Sequence, residues 1–214
     1  MSQSKVALIV EKIYQLLMIN VCFFITTLPL MMAFIMLKPA IFTIPIYFIV
    51  CIPLGPSLFS IVYCLNKIST EHEIQVFKAF FSYWKRVFKL SLILTMFLMM
   101  VISVGIVDLQ FFSTISFLQW LNPVIILLIS LSLIIYSNAL FLHQKEKSSV
   151  KELIKISIYV TFKNSIISFV NGLLLTVLIL GMIIKPAFGF LILPSLLIAV
   201  LLWNSQKLVE INNK

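Results

Sequence analysis

The chain has 214 residues, of which 62% are apolar and 11% charged, with a formal net charge of +9. Ordinary soluble domains carry about 25% charged residues, so a water-solvated globular core is excluded. One membrane domain spanning 1–214 uses nearly every residue and leaves no room for an extramembrane domain of about 50 residues or more.

Charged side chains punctuate six charge-free runs, 13–37, 39–66, 90–107, 109–144, 164–184 and 186–206. A helix crosses a hydrocarbon core about 30 Å thick with roughly 20 mostly apolar residues, within limits of about 17 to 25. The predicted fold is all-α, a polytopic transmembrane helical bundle with spans at about 13–37, 41–65, 90–107, 121–142, 165–184 and 187–203. The first run is too long for the apolar stretch of a cleaved signal peptide, about 7 to 15 residues, so the first span is expected to be retained.

Paired in order, the spans make three hairpins. Connectors on one side carry fourteen of the sixteen Lys and Arg residues, and the other side has only Lys38 and Lys185. Such a bias predicts a bacterial cell membrane protein with both termini in the cytoplasm. It also opposes a nucleic-acid partner, because the basic residues face anionic lipid while the aromatics lie in or beside apolar spans. The outer turns of the first and last hairpins are alike, Leu37-Lys38-Pro39-Ala40 and Ile184-Lys185-Pro186-Ala187, each followed by a further proline at Pro45 and Pro194. The middle hairpin turns through Trp120-Leu121-Asn122-Pro123.

The second span is interrupted by Pro45 and then by Pro53-Leu54-Gly55-Pro56. Pro53 and Pro56 free the carbonyls of Ile49 and Ile52, and Ser57 and Ser60 follow at once, so Pro53, Gly55, Pro56 and Ser57 form a candidate helix break or solute path. The alternative is a kink whose freed groups are satisfied by neighbouring helices, hydroxyls or water.

The cytoplasmic connectors carry Thr70-Glu71-His72-Glu73 and Ser149-Val150-Lys151-Glu152, both with the Ser/Thr-x-x-Glu spacing of a capping box that opens a helix. Two amphipathic cytoplasmic helices are predicted, at about 71–89 and 150–163. In the first, Ile74, Phe77, Phe81, Trp84 and Phe88 share one face and Lys78, Lys85 and Lys89 the other, which suits a helix lying in the inner headgroup layer before the third span. The second opposes Val150, Leu153, Ile154, Ile158 and Phe162 to Lys151, Lys155 and Lys163.

Chemistry-bearing residues are sparse. Glu11, Glu71, Glu73, Glu146, Glu152 and Glu210 fall in cytoplasmic segments and Asp108 at the outer end of the third span. Buried ionisable groups mark proton relays, and none is placed at mid-membrane. His72 sits in a predicted capping box, and His143 ends the fourth span as an interface residue or a cation near a helix C-terminus. Cys22, Cys51 and Cys64 have no metal-ligand spacing and suit small apolar fillers. No phosphate-binding glycine loop occurs, so no cofactor, no metal and no catalytic residue is assigned. The remaining polar features are intramembrane amides, Asn20, Asn138 and Asn171, with Thr26, Thr27, Thr95, Ser103 and Thr176 around them, as helix-to-helix contacts or the lining of a path.

Three stretches carry a family likeness: Asn20 through Thr27-Leu28-Pro29, Gly55-Pro56-Ser57-Leu58 before Tyr63, and Phe77-Lys78-Ala79-Phe80-Phe81 leading through Trp84 and Lys85 to Phe88-Lys89. In their order and spacing the chain resembles the YesL family, bacterial multi-pass membrane proteins built around a domain of unknown function. The resemblance implies association with carbohydrate-uptake systems and brings no catalytic residues with it. The leading expectation is a non-enzymatic membrane protein, partnered by the lipid bilayer and by another membrane protein of a transport or envelope system. The alternative is a small transporter or channel using the broken second helix. An intramembrane enzyme and an immunity protein against a membrane-active peptide are further alternatives.

Overall fold

The computed structural model describes residues 5–37, 41–70, 74–144 and 149–212, and within them the chain is helical with no strand. Helix α1 (Lys5–Met36) joins the expected N-terminal helix and first span without interruption. The second span is α2 (Ile44–Val50) and α3 (Leu54–Thr70), parted at the prolines. Then come α4 (Val76–Ser113), a 3-10 turn over Ser116–Leu121, α5 (Asn122–Leu142), α6 (Val150–Lys163) and α7 (Ser165–Ile184). The stretch expected as the sixth span is again two pieces, α8 (Pro186–Leu191) and α9 (Leu193–Asn212).

Among the described residues, five helical segments are long and apolar enough to cross a membrane: Val10–Met36, Ile44–Thr70, Val76–Ser113, Phe117–Leu142 and Ser165–Ile184. The stretch Leu193–Gln206 is apolar but shorter. Side-chain placement matches a lipid solvent. Phe97, Phe169, Val177 and Trp203 point outward, while Asn20, Ser57, Ser60, Thr95, Asn138 and Asn171 are enclosed. Water would reverse that distribution, since apolar surface turned to water is costly and buried polar groups need partners.

Helix α1 is held between the two interrupted spans. Phe34 lies against Tyr47 of α2, ring centroids 5.4 Å apart, and against Phe190 of α8 at 6.4 Å, with Phe23, about three turns earlier on α1, also stacked on Phe190. Around this seam α3 packs on α4, α4 on α5, and α7 on both α5 and α9. Two glycines permit the closest approaches. A Cβ on Gly55 would collide with the Thr95 hydroxyl and lie 2.9 Å from the Ser91 carbonyl of α4. One on Gly189 would lie 2.5 Å from the Met182 backbone of α7.

The connectors differ from expectation in two ways. Of the first predicted capping box, Glu71, His72 and Glu73 lie outside the described residues. Thr70 closes α3 instead of opening a helix, its hydroxyl donating to the Lys67 carbonyl at 3.1 Å, and α4 begins at Val76. The second difference is that the expected surface helix does not turn into the third span at residue 89. Helix α4 is one rod of 38 residues, about 57 Å long, so it outreaches a hydrocarbon layer of about 30 Å and projects its lysine-bearing end beyond it.

The buried stripe of that end is Val76, Phe80, Tyr83 and Val87, which packs on the core. Phe77 is exposed, Phe81, Trp84 and Phe88 are half-buried, and Lys78, Lys85 and Lys89 are exposed. The apolar residues are numerous enough to occupy two adjacent faces, and α3 takes the one centred on Phe80 and Tyr83. Tyr83 stacks on Tyr63 of α3 with centroids 4.2 Å apart and planes 1° from parallel.

Candidate functional site

The proline break in the second span is the first place to look for an opened backbone. Pro53 and Pro56 cannot donate, so the chain passes from α2 to α3 through a turn at Cys51–Pro53. The Cys51 amide still reaches the Tyr47 carbonyl at 2.9 Å, Ile52 reaches Ile49 at 3.2 Å, and Leu54 reaches Cys51 at 3.0 Å. The Ile49 carbonyl, expected to be free, thus has a partner. Ser57 completes the closure. Its hydroxyl donates to the Pro53 carbonyl at 2.6 Å, lies 2.8 Å from the Thr26 hydroxyl of α1, and accepts from the Trp84 indole of α4 at 3.2 Å. Ser57 is fully enclosed, as are Gly55 and Pro56 around it.

The fold thus joins two features that lie far apart in sequence, the break in the second span and Trp84. Trp84, expected on the surface helix, is half-buried and joins that helix to the break. Its ring nitrogen finds its acceptor in Ser57, as a partly buried indole usually finds one. Thr95, one helix turn beyond Ser91 on α4, closes the other side of the junction against Tyr136 of α5, oxygen to oxygen 2.9 Å.

A second break, at Ile192, has no proline at its own position and was not expected. Here Asn20 of α1 spans the gap. Its amide nitrogen donates to the Ile192 carbonyl at 3.3 Å and its oxygen accepts from the Ser195 amide at 2.9 Å. Ser195 is the third residue of α9, and Pro194 before it has no N–H, so Asn20 caps the new helix from a neighbouring one. The Ser195 hydroxyl, also enclosed, has no hydrogen-bond partner.

Asn138 and Asn171 meet in a third cluster. Asn138 of α5 donates to Thr161 of α6 at 3.0 Å and Ser168 of α7 at 2.9 Å, and its oxygen accepts from Asn171 at 3.2 Å. Asn171 also donates to Ser205 of α9 at 2.9 Å and accepts from Asn204 at 2.9 Å. Asn204 in turn reaches the Ile167 carbonyl at 3.1 Å. Asn204 and Ser205 were not singled out from the sequence. Ser205 is legible in retrospect, because it continues the buried steps Ile198, Leu201 and Leu202 at helical spacing. Of the hydroxyls near the amides, Thr27 and Thr176 bond back to their own helices, at Phe23 and Gly172.

At the end of α5 the Gln144 amide ties Tyr83, at 3.1 Å, to the Phe59 carbonyl, at 3.3 Å. His143 beside it is half-buried edge-on against the Phe59 ring, centroids 5.5 Å apart. Burial pushes its pKa down, which works against the expected cation at the helix C-terminus. The capping box at Ser149 is present, with the Ser149 amide 2.9 Å from the Glu152 carboxylate and the Glu152 amide 3.4 Å from the Ser149 hydroxyl. Those bonds hold the exposed Glu152 carboxyl below its ordinary range. Cys22, Cys51 and Cys64 are buried thiols, and no group of three His, Cys, Asp or Glu gathers among the described residues.

Beside the first break lies a largely apolar cavity of about 330 Å3. Its long walls are α4, from Thr95 to Gln110, and α7, from Leu175 to Ile183, and Phe34 and Tyr47 close it from α1 and α2. Tyr47 turns its hydroxyl away to the Leu37 carbonyl at 2.9 Å.

Residues 16–109 match the model of a family described as "Protein of unknown function, DUF624". That segment runs from α1 through most of α4 and contains the Ser57–Trp84 junction and the Gly55 contact. No curated protein and no solved structure matches the chain. Over its first half, then, the chain is similar to a family whose role is itself undefined.

Proposed function

We propose that the protein is a non-enzymatic multi-pass membrane protein that assists a transport or envelope system through helix-to-helix contacts and its basic cytoplasmic helices. One observation carries this reading: Ser57 and the three enclosed amides spend their hydrogen bonds on neighbouring helices. Ser57 is occupied by Pro53, Thr26 and Trp84, Asn20 by the Ile192 break, and Asn138 and Asn171 by four surrounding helices. Such bonds register helices and build a scaffold, whereas a solute path needs groups with capacity to spare. The YesL-like character of the three motif stretches, and with it a link to carbohydrate uptake, belongs to the same proposal. So does a topology of six crossings with both termini inside.

Co-purification from native membranes with a permease or other membrane subunit is the expected result. A purified chain that by itself moves solute across liposomes would overturn it. Topology has its own test: single cysteines placed near Lys38 and near Lys85 should react with an impermeant reagent from opposite faces of intact cells, and equal labelling from outside would refute the orientation.

A second reading, a small transporter working through the broken helices, draws on the fact that both interrupted spans meet α1, at Thr26 and at Asn20. On that reading, replacing Pro53 and Gly55 together with leucine abolishes flux in liposomes. Flux that persists in the double variant would dismiss it.

A further inference from the structure

We propose that the cavity between α4 and α7 holds one acyl chain of a bilayer phospholipid. The inference rests on bilayer insertion and not on the existence of a protein partner.

Its dimensions select the occupant. The lining residues of α4 run from Thr95 to Gln110, fifteen positions apart and so about 22 Å along the axis. The hydrocarbon core is about 30 Å deep, so a cavity of that length covers most of it and ends near one boundary, alongside the surrounding lipid tails. A volume of about 330 Å3 spread over that length makes a narrow slot and not a wide chamber. A helix, about 10 Å across with its side chains, does not fit. A single extended hydrocarbon chain does.

The lining is mostly apolar, with Ser103 and Gln110 as polar exceptions, and the oxygens at the inner end, Thr95 and Tyr136, are bonded to each other at 2.9 Å, so a buried water, which needs two to four partners, finds few there. The walls are Leu98, Met99, Leu178 and Ile179, and left empty they would forfeit dispersion contacts along their whole length. At the opposite end the lining reaches Gln110, which is exposed, and Ile183, two residues before the exposed Lys185. An acyl chain entering there keeps its ester and phosphate at the boundary, within the region of an amide and a cation. Helices α4 and α7 make almost no direct contact with each other, so nothing in the packing requires the gap to close.

The test uses the full chain in vesicles of phosphatidylethanolamine and phosphatidylglycerol containing a trace of phospholipid with a photoreactive diazirine midway along one acyl chain. After irradiation, peptide mapping should find adducts on Leu98, Met99, Leu178 and Ile179 in addition to the outward-facing Phe97 and Phe169. Ile179→Trp, which fills the cavity from α7, should lower the cavity adducts severalfold and leave those at Phe97 and Phe169 unchanged. Leu98→Trp should do the same from the opposite wall. Cavity adducts unaffected by either filled variant would overturn the proposal. So would wild-type protein labelled only on its outward faces, a result that needs no variant to fold, or a branched isoprenyl probe that labels the cavity where the acyl probe does not.

Discussion

The indole nitrogen of Trp84 donates to the hydroxyl of Ser57 across 3.2 Å, joining the lysine-bearing end of α4 to the point where the second span restarts after its prolines. Ser57 handles three partners with one side chain, so it should matter more than any of them alone. Ser57→Ala strands the Trp84 donor and one contact of Thr26, while the Pro53 carbonyl keeps the residue-57 amide at 3.2 Å, and is expected to cost about 1–3 kcal/mol. Trp84→Phe keeps most of the apolar surface and loses a single bond, for which about 0.6 kcal/mol is typical within membranes. Thermal unfolding in a mild detergent would rank the two, and equal midpoints would contradict the hub role of Ser57.

Asn20 and Ser195 should respond in opposite directions. Asn20→Leu leaves the Ser195 amide unpaired in an apolar interior and removes one bond from the Ile192 carbonyl, a loss of about 1–3 kcal/mol, with faster hydrogen exchange at the Ser195 amide. Ser195→Ala removes an enclosed hydroxyl that has no partner and is expected to be neutral or stabilising. A strongly destabilised Ser195→Ala would mean that the hydroxyl has work the geometry does not reveal.

Asn138 and Asn171 share a bond of 3.2 Å, so their substitutions should not add. Each leucine replacement is expected to cost about 1–2 kcal/mol, and the double variant less than the sum, because the first substitution already leaves the second amide with a vacant position. The double-mutant cycle, read from denaturation midpoints, settles it. Additivity would separate the two residues.

The capping box gives α6 a pH dependence of definite sign. The Ser149 amide and hydroxyl lower the Glu152 carboxyl in the folded helix from its ordinary 4.5. Its contribution to helix α6 is therefore complete above about pH 4.5 and is lost as pH falls through the folded value, because the unfolded segment takes up the proton first. Carboxyl chemical shifts followed from neutral pH downward should show Glu152 titrating below the ordinary value, and Ser149→Ala, which loses the hydroxyl but keeps the backbone amide, should raise it only part of the way back. A wild-type titration at or above 4.5 would remove the box as a stabilising element.

The sequence alone determined the solvent and the elements. Charge-free runs can end only where a lysine or carboxylate meets water, so α5 and α7 were placed to within a residue, and the break at Pro53 follows from a missing N–H. The Ser149 box was legible because its two bonds lie within one turn. Tertiary structure decided the rest, because those relationships depend on which helix comes next to which. No local pattern says that Ser57 faces Trp84, that the rod of α4 continues past residue 89, or that Asn204 completes the cluster around Asn171. The break at Ile192 shows why. Its freed backbone groups are answered by Asn20, more than 170 residues earlier in the chain, and in lipid a backbone can open only where some other part of the protein supplies its hydrogen bonds.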